Sequence, residues 1–196
     1  MITAPKQPSA YTVHPRLVAS RAIAIIRWPF TNKFAAPIWL VLRLYIASIW
    51  FQMSISKFRA GWLTSDPLSQ LFKLIENGTM PVPLPFYREI AGAMLHAGIT
   101  PYLSHGMPFL EMAAALAFAS GVLVPVAAVG AILLNINIIL SGMGTPAFDA
   151  PIIASQILFL LSYRVVGAIG FERIALRILG AAVRAVRPAR QTAKAS

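Results

Sequence analysis

The sequence predicts an all-α integral membrane protein, a bundle of four transmembrane helices with interfacial amphipathic helices at its termini. Three observations lead there. Of 196 residues, 58% are hydrophobic and only 12% charged, with a mean hydropathy of +0.70. A soluble domain carries about 25% charged residues, so these charges are too few to cover a water-facing surface. Four apolar stretches fall within the roughly 17–25 residues that cross the hydrocarbon of a bilayer. The basic residues concentrate near the two ends of the chain, which four crossings bring to one side.

Span 1 covers residues 36–56 and contains one charge, Arg43. Residues 112–148 contain no charge at all and are too long for one crossing. Gly121 and Pro125 divide this region, which gives span 2 at 106–123 and span 3 at 126–142. Span 4 runs over 148–167, with Arg164 near its end. A long segment, about 59–104, links spans 1 and 2. Between the two spans, Lys57, Arg59, Lys73 and Arg88 are offset by Asp66, Glu76 and Glu89. Lys6, Arg16, Arg21, Arg27 and Lys33 precede span 1, and Arg164, Arg173, Arg177, Arg184, Arg187, Arg190 and Lys194 close the chain. The positive-inside rule makes both termini cytoplasmic, in an inner membrane. The organisation is thus a basic segment at 1–35, a bundle at 36–170 and a basic tail at 171–196, with no cleavable signal peptide expected.

In residues 171–187, Arg173, Arg177, Arg184 and Arg187 fall within about 80° at the helical period, with Ile174, Ile178, Leu179 and Val183 largely outside that arc. The pattern fits a basic amphipathic helix lying on anionic headgroups or a solvated tail. Residues 18–30 repeat it more weakly. Nucleic acid is not expected as a partner, because no reading element accompanies the charge of +11. The lipid bilayer is.

Side chains inside the spans carry the candidate chemistry, because ionisable groups there are costly and functional by default. Arg43, Ala47, Trp50, Ser54 and Lys57 share a stripe about 80° wide, which should face other helices. Either cation could alternatively snorkel to headgroups. Glu111 sits about one turn inside span 2, and its depth pairs it with Lys57, not Arg43. That pair is either functional or a structural ion pair fixing helix register. In span 3, Asn135 and Asn137 point about 160° apart. Asn137, Ser141 and Thr145 form one polar line, and Asn side chains also join helices in lipid. Gln156 lies beside the face shared by Ser155 and Ser162 in span 4. In the long outer segment, Trp62, Phe72, Pro81, Pro83, Pro85, Phe86 and Tyr87 suggest interfacial aromatics and rigid turns, and residues 84–99 a helix across the mouth of the bundle.

The chain has no Cys. A thiolate metal site, an iron–sulfur cluster and covalently attached haem are therefore excluded. No His lies at a span centre, so haem is not expected, and the isolated His96 and His105 make no metal site.

Residues 42–173 resemble the DoxX/DoxD family of small four-span membrane proteins. The resemblance rests on Arg43 followed by Ser56-Lys57, on Pro108-Phe109-Leu110-Glu111 opening span 2, and on the Asn-containing span 3. It also rests on Arg164 with Gly170-Phe171-Glu172-Arg173 at the end of span 4. The chain departs from the family's pattern at Leu110, where Gly is usual, and at Leu123-Val124-Pro125, where a Thr-Arg turn is usual. The DoxD branch looks like the membrane subunit of thiosulfate:quinone oxidoreductases, and other relatives are accessory subunits of respiratory complexes. The resemblance implies a quinone site in the bundle and partner subunits holding other redox centres. On this reading Glu111 and Lys57 are the catalytic candidates, and Arg43, Trp50, Ser54, Asn135 and Asn137 the cofactor-binding ones. A non-catalytic assembly subunit is the competing expectation. A transporter is disfavoured by the apolar inner halves of spans 2 and 3.

Overall fold

The computed structural model describes residues 15–171, with side chains from residue 23 onward. The tail over 172–196, including the basic helix expected there and the Glu172-Arg173 of the family-like ending, lies outside the described residues. Every regular element among the described residues is helical: α1 (Pro15–Thr31), a short 3₁₀ turn (Lys33–Ala35), α2 (Ala36–Arg59), α3 (Pro67–Glu76), α4 (Phe86–His96), α5 (Thr100–Ser120), α6 (Val124–Leu140), α7 (Pro146–Leu161) and α8 (Tyr163–Val166). The segment Lys33–Arg59 is long and apolar enough to cross a membrane by length and composition. Helices α6 and α7 are apolar but shorter.

Local chemistry sets the ends. Proline occupies the first turn of α2, α3, α5, α6 and α7, where its missing N–H costs nothing and its fixed φ suits a helix. Glycines in the left-handed conformation close several turns, Gly121 (φ +75°) after α5 and Gly142 (φ +78°) after α6 among them. The Gly121 turn separates α5 from α6 where the sequence predicts a break. Helix α5 starts six residues before the expected 106, because Thr100-Pro101 provides a first turn and Ser104 a buried anchor. The expected fourth span is divided at Ser162, whose hydroxyl donates back to the Leu158 carbonyl at 2.7 Å.

Helices α2, α5, α6 and α7 form the main core. Each buries a stripe at helical spacing: Trp39, Arg43, Ile46, Trp50 and Ser54 on α2; Ser104, Pro108, Glu111, Ala115 and Phe118 on α5; Val124, Ala128, Ala131 and Asn135 on α6; Asp149, Ile152, Gln156 and Phe159 on α7. Helix α2 packs most extensively on α5, and α6 on α7. A smaller second core of Phe72, Ile75, Tyr87 and Ala91 joins α3 to α4.

At one end of the bundle, Trp39, Phe118 and Phe159 make an aromatic layer, with Phe159 6.5 Å from Trp39 and 5.5 Å from Phe118 between ring centroids. Arg43 lies here, 1% exposed. Its Nη1 donates to the Val166 carbonyl and its Nη2 to the Ile169 carbonyl, both at 2.8 Å. It therefore does not snorkel; it caps the carbonyls that α8 leaves open. Arg43→Leu strands those carbonyls, at about 2 kcal/mol, and Arg43→Lys recovers only part, since an ammonium lacks the planar fork. Thermal midpoints in detergent should fall in the order wild type, Lys, Leu.

The outer segment holds two helices where the sequence predicts one. Asp66 caps α3 by accepting from the Ser69 N–H at 3.1 Å. It also accepts from Thr100 Oγ1 at 2.7 Å and Ser104 Oγ at 2.6 Å, which ties α3 to the start of α5. Burial pushes the Asp66 carboxyl up, but the Ser104, Thr100 and Ser69 hydrogen bonds, with His105 nearby, outweigh it and hold the group below its ordinary 3.8. A depressed carboxylate contributes stability that is complete above the unfolded-state value and lost as pH falls through the folded one. Asp66→Ala should cost about 1–2 kcal/mol near neutrality. Denaturation of the two proteins should show that gap closing below about pH 4.

Candidate functional site

The end of the bundle opposite Arg43 holds a cavity of about 440 Å³. Its position follows from the chain. Helix α2 runs past the core for one more turn and delivers Lys57. The turn after it folds back, with Trp62 N–H donating to the Lys57 carbonyl at 3.2 Å. Helix α5 brings Met107 and Glu111, α6 brings Asn137, Ile138 and Ser141, and the α3–α4 pair closes over them with Leu68, Leu71, Phe72 and Tyr87. Met53 and Met143 complete a flexible, sulfur-rich wall.

Two polar pairs enter this apolar space. Lys57 Nζ lies 2.6 Å from Glu111 Oε1, with the Lys57 side chain 17% exposed and Glu111 fully buried. The ammonium also sits 5.2 Å from the centroid of the Trp62 ring, within cation–π range. On the other side, the Tyr87 hydroxyl donates to Asn137 Oδ1 at 2.7 Å. Burial pushes the Tyr87 phenol above its ordinary 10.0, with the Asn137 bond opposing, so it is a neutral donor at physiological pH. With Oδ1 occupied by Tyr87, the Asn137 amide keeps its N–H groups for another acceptor.

The pairing of Glu111 with Lys57 instead of Arg43 is the one expected from depth. The other sequence candidates separate. Asn137 lines the cavity, and of the polar line Asn137–Ser141–Thr145, Thr145 is absent from it. The remaining cofactor-binding candidates are elsewhere. Arg43 is at the opposite end, holding Val166 and Ile169. Ser54 donates to the Pro108 carbonyl at 2.8 Å, a buried bond that joins α2 to α5. Trp50 and Asn135 are fully buried in the bundle interior. A stripe on one helix, read alone, places these residues together; the neighbouring helices divide it by depth. Trp62 and Tyr87, read from sequence as interfacial aromatics, are cavity walls. Trp62 is brought there by the turn after α2 and Tyr87 by its bond across to Asn137 of α6, and no local pattern encodes the second.

The arrangement can hold a flat, weakly polar ring between apolar walls. It can donate hydrogen bonds to the ring's oxygens from Lys57 or from the Asn137 amide that Tyr87 orients, and can exchange a proton at Glu111. Among the described residues no group of three or more His, Cys, Asp or Glu could hold a metal. No family model, curated protein or solved structure matches the chain.

Proposed function

We propose that the chain is a multi-pass membrane subunit of a quinone-linked oxidoreductase, with α2, α5, α6 and α7 crossing the bilayer and quinone binding in the Lys57–Glu111 cavity. The helices have 24, 21, 17 and 16 residues. At 1.5 Å per residue they measure about 24–36 Å, against a hydrocarbon core of about 30 Å, and modest tilt or thinning absorbs the difference. Their outward faces are mainly apolar: Val41 and Phe51 on α2, Leu116 on α5, Leu133 on α6 and Leu161 on α7 are exposed, with Ser48 and Gln52 the exposed polar residues midway along α2. A soluble surface seldom shows so continuous an apolar belt. Helix α1 leads into α2 on the Arg43 side and the described chain closes there after α8, so the positive-inside rule applied to the basic residues flanking 36–167 in sequence turns that side to the cytoplasm and the cavity to the outer face.

One observation carries the quinone assignment: an ammonium–carboxylate pair and a phenol–amide pair converge on an otherwise apolar cavity. Quinone carbonyls need donors, and their reduction to hydroquinone needs two protons, which Glu111 can relay. The electrons would come from partner subunits, since this chain has no cysteine for a cluster. The second reading, a non-catalytic assembly subunit, draws on the same Lys57–Glu111 contact, because it also ties α2 to α5 as a structural clamp.

Purification in mild detergent followed by lipid extraction and mass spectrometry separates the two. Stoichiometric quinone together with a redox partner supports the first reading. A defined complex without quinone on this chain supports the second.

A further inference from the structure

Each of the four core helices contributes one fully buried side chain that has polar atoms without a protein hydrogen-bond partner. These are Trp50 through Nε1, Glu111 through Oε2, and Asn135 and Gln156 through both amide atoms. A buried amide, indole N–H or carboxylate oxygen left unpaired is costly, and native interiors pair such groups or hydrate them.

The four lie in one slab of the bundle. The aromatic layer of Trp39, Phe118 and Phe159 bounds it on the Arg43 side. The Ser54–Pro108 and Tyr87–Asn137 bonds bound it on the other. Trp50 is one turn in from Ser54, Glu111 one turn in from Pro108, and Asn135 two residues in from Asn137. Gln156 is one turn out from Phe159. All four occupy the inward stripes of their helices, among small residues such as Ala47, Ala114 and Ala131. Glu111 is the link to the cavity it lines, with Oε1 on Lys57 and Oε2 buried without a protein partner.

We infer that Trp50, Glu111, Asn135 and Gln156 enclose a buried cluster of ordered water in the middle of the bundle, in contact with Glu111 Oε2. The chemistry selects water. The lining offers both donors and acceptors, with a single carboxylate, and a water can satisfy two to four such groups at once. A monovalent cation would leave the indole N–H and amide N–H groups unpaired, and an apolar molecule would leave them all so. The use of this cluster as a proton store for the cavity rests on the quinone reading; its existence does not.

X-ray radiolytic labelling of the purified full chain tests it, because hydroxyl radicals form from bound as well as bulk water. Trp39 is the internal control: it is also buried, and its Nε1 already donates to the Pro29 carbonyl at 2.6 Å. Oxidation of Trp50 should exceed that of Trp39 several-fold in the wild-type protein, and should fall to the Trp39 level in Gln156→Leu or Asn135→Leu. Equal inertness of the two tryptophans in the wild type overturns the inference without reference to any variant's folding. Unchanged Trp50 labelling in both variants overturns it too, since water would then be held by other groups. Either outcome is independent of whether quinone co-purifies, so this inference and the quinone reading can fail separately.

Discussion

Lys57→Met should destabilise the protein by about 3 kcal/mol, and the double variant Lys57→Met/Glu111→Leu should regain most of that loss. The reason is asymmetric. Removing the ammonium leaves Glu111, which is fully buried, with neither carboxylate oxygen paired to a protein group. Breaking one half of a buried ion pair costs about 3–5 kcal/mol, whereas replacing both halves with well-packed apolar groups is often neutral. The partial exposure of Lys57 puts the expected value at the lower end. Chemical denaturation of the three proteins in the same detergent gives the comparison. If the double variant is as unstable as the single, the pair is not what holds α2 to α5. The same set separates structure from function: under the quinone reading, quinone-dependent electron transfer stays lost in the double variant even though stability returns.

Gly142→Ala should cost about 3 kcal/mol and, under the quinone reading, should also weaken quinone binding in the cavity. Gly142 ends α6 at φ +78°, and a Cβ there would run into the backbone carbonyl of Pro81. The left-handed conformation alone disfavours Ala by about 1–2 kcal/mol, and forcing a methyl into a packed site adds about 1–3 kcal/mol. Because the obstacle is backbone, relief requires the segment at 79–85 to move, and that segment seats Tyr87 over Asn137. Gly98→Ala is the matched control. It has a similar φ of +67°, but nothing lies within 4 Å of an added Cβ, so it should lose only about 1–2 kcal/mol. Thermal scans of both variants, with ligand titration of the folded fraction, check the pair. Equal losses would show that backbone conformation, not the Pro81 contact, governs the Gly142 turn.

The sequence by itself determined the helical class and most of the core helices. Prolines in first turns, left-handed glycines at Gly121 and Gly142, and long runs free of charge are local signals, and local signals fix where a helix starts and stops. The division at Gly121 and the inward stripe of Arg43, Ala47, Trp50 and Ser54 could be read for that reason. Helix α3 could have been read as well: Asp66-Pro67 is a cap followed by an N1 proline, and Leu68, Leu71, Phe72 and Ile75 repeat at helical spacing.

What only the tertiary structure decided was the division of the polar residues. The stripe on α2 is continuous in sequence, yet Arg43 meets the carbonyls after α8, Ser54 meets Pro108, and Lys57 meets Glu111. Which partner each finds depends on the relative depth of helices far apart along the chain, and packing against neighbours sets that depth, not periodicity within one helix. Asn135 and Asn137 make the same point over two residues. Helical geometry alone turns them apart, but only the tertiary structure sends Asn137 to Tyr87 in the cavity and leaves Asn135 fully buried in the interior.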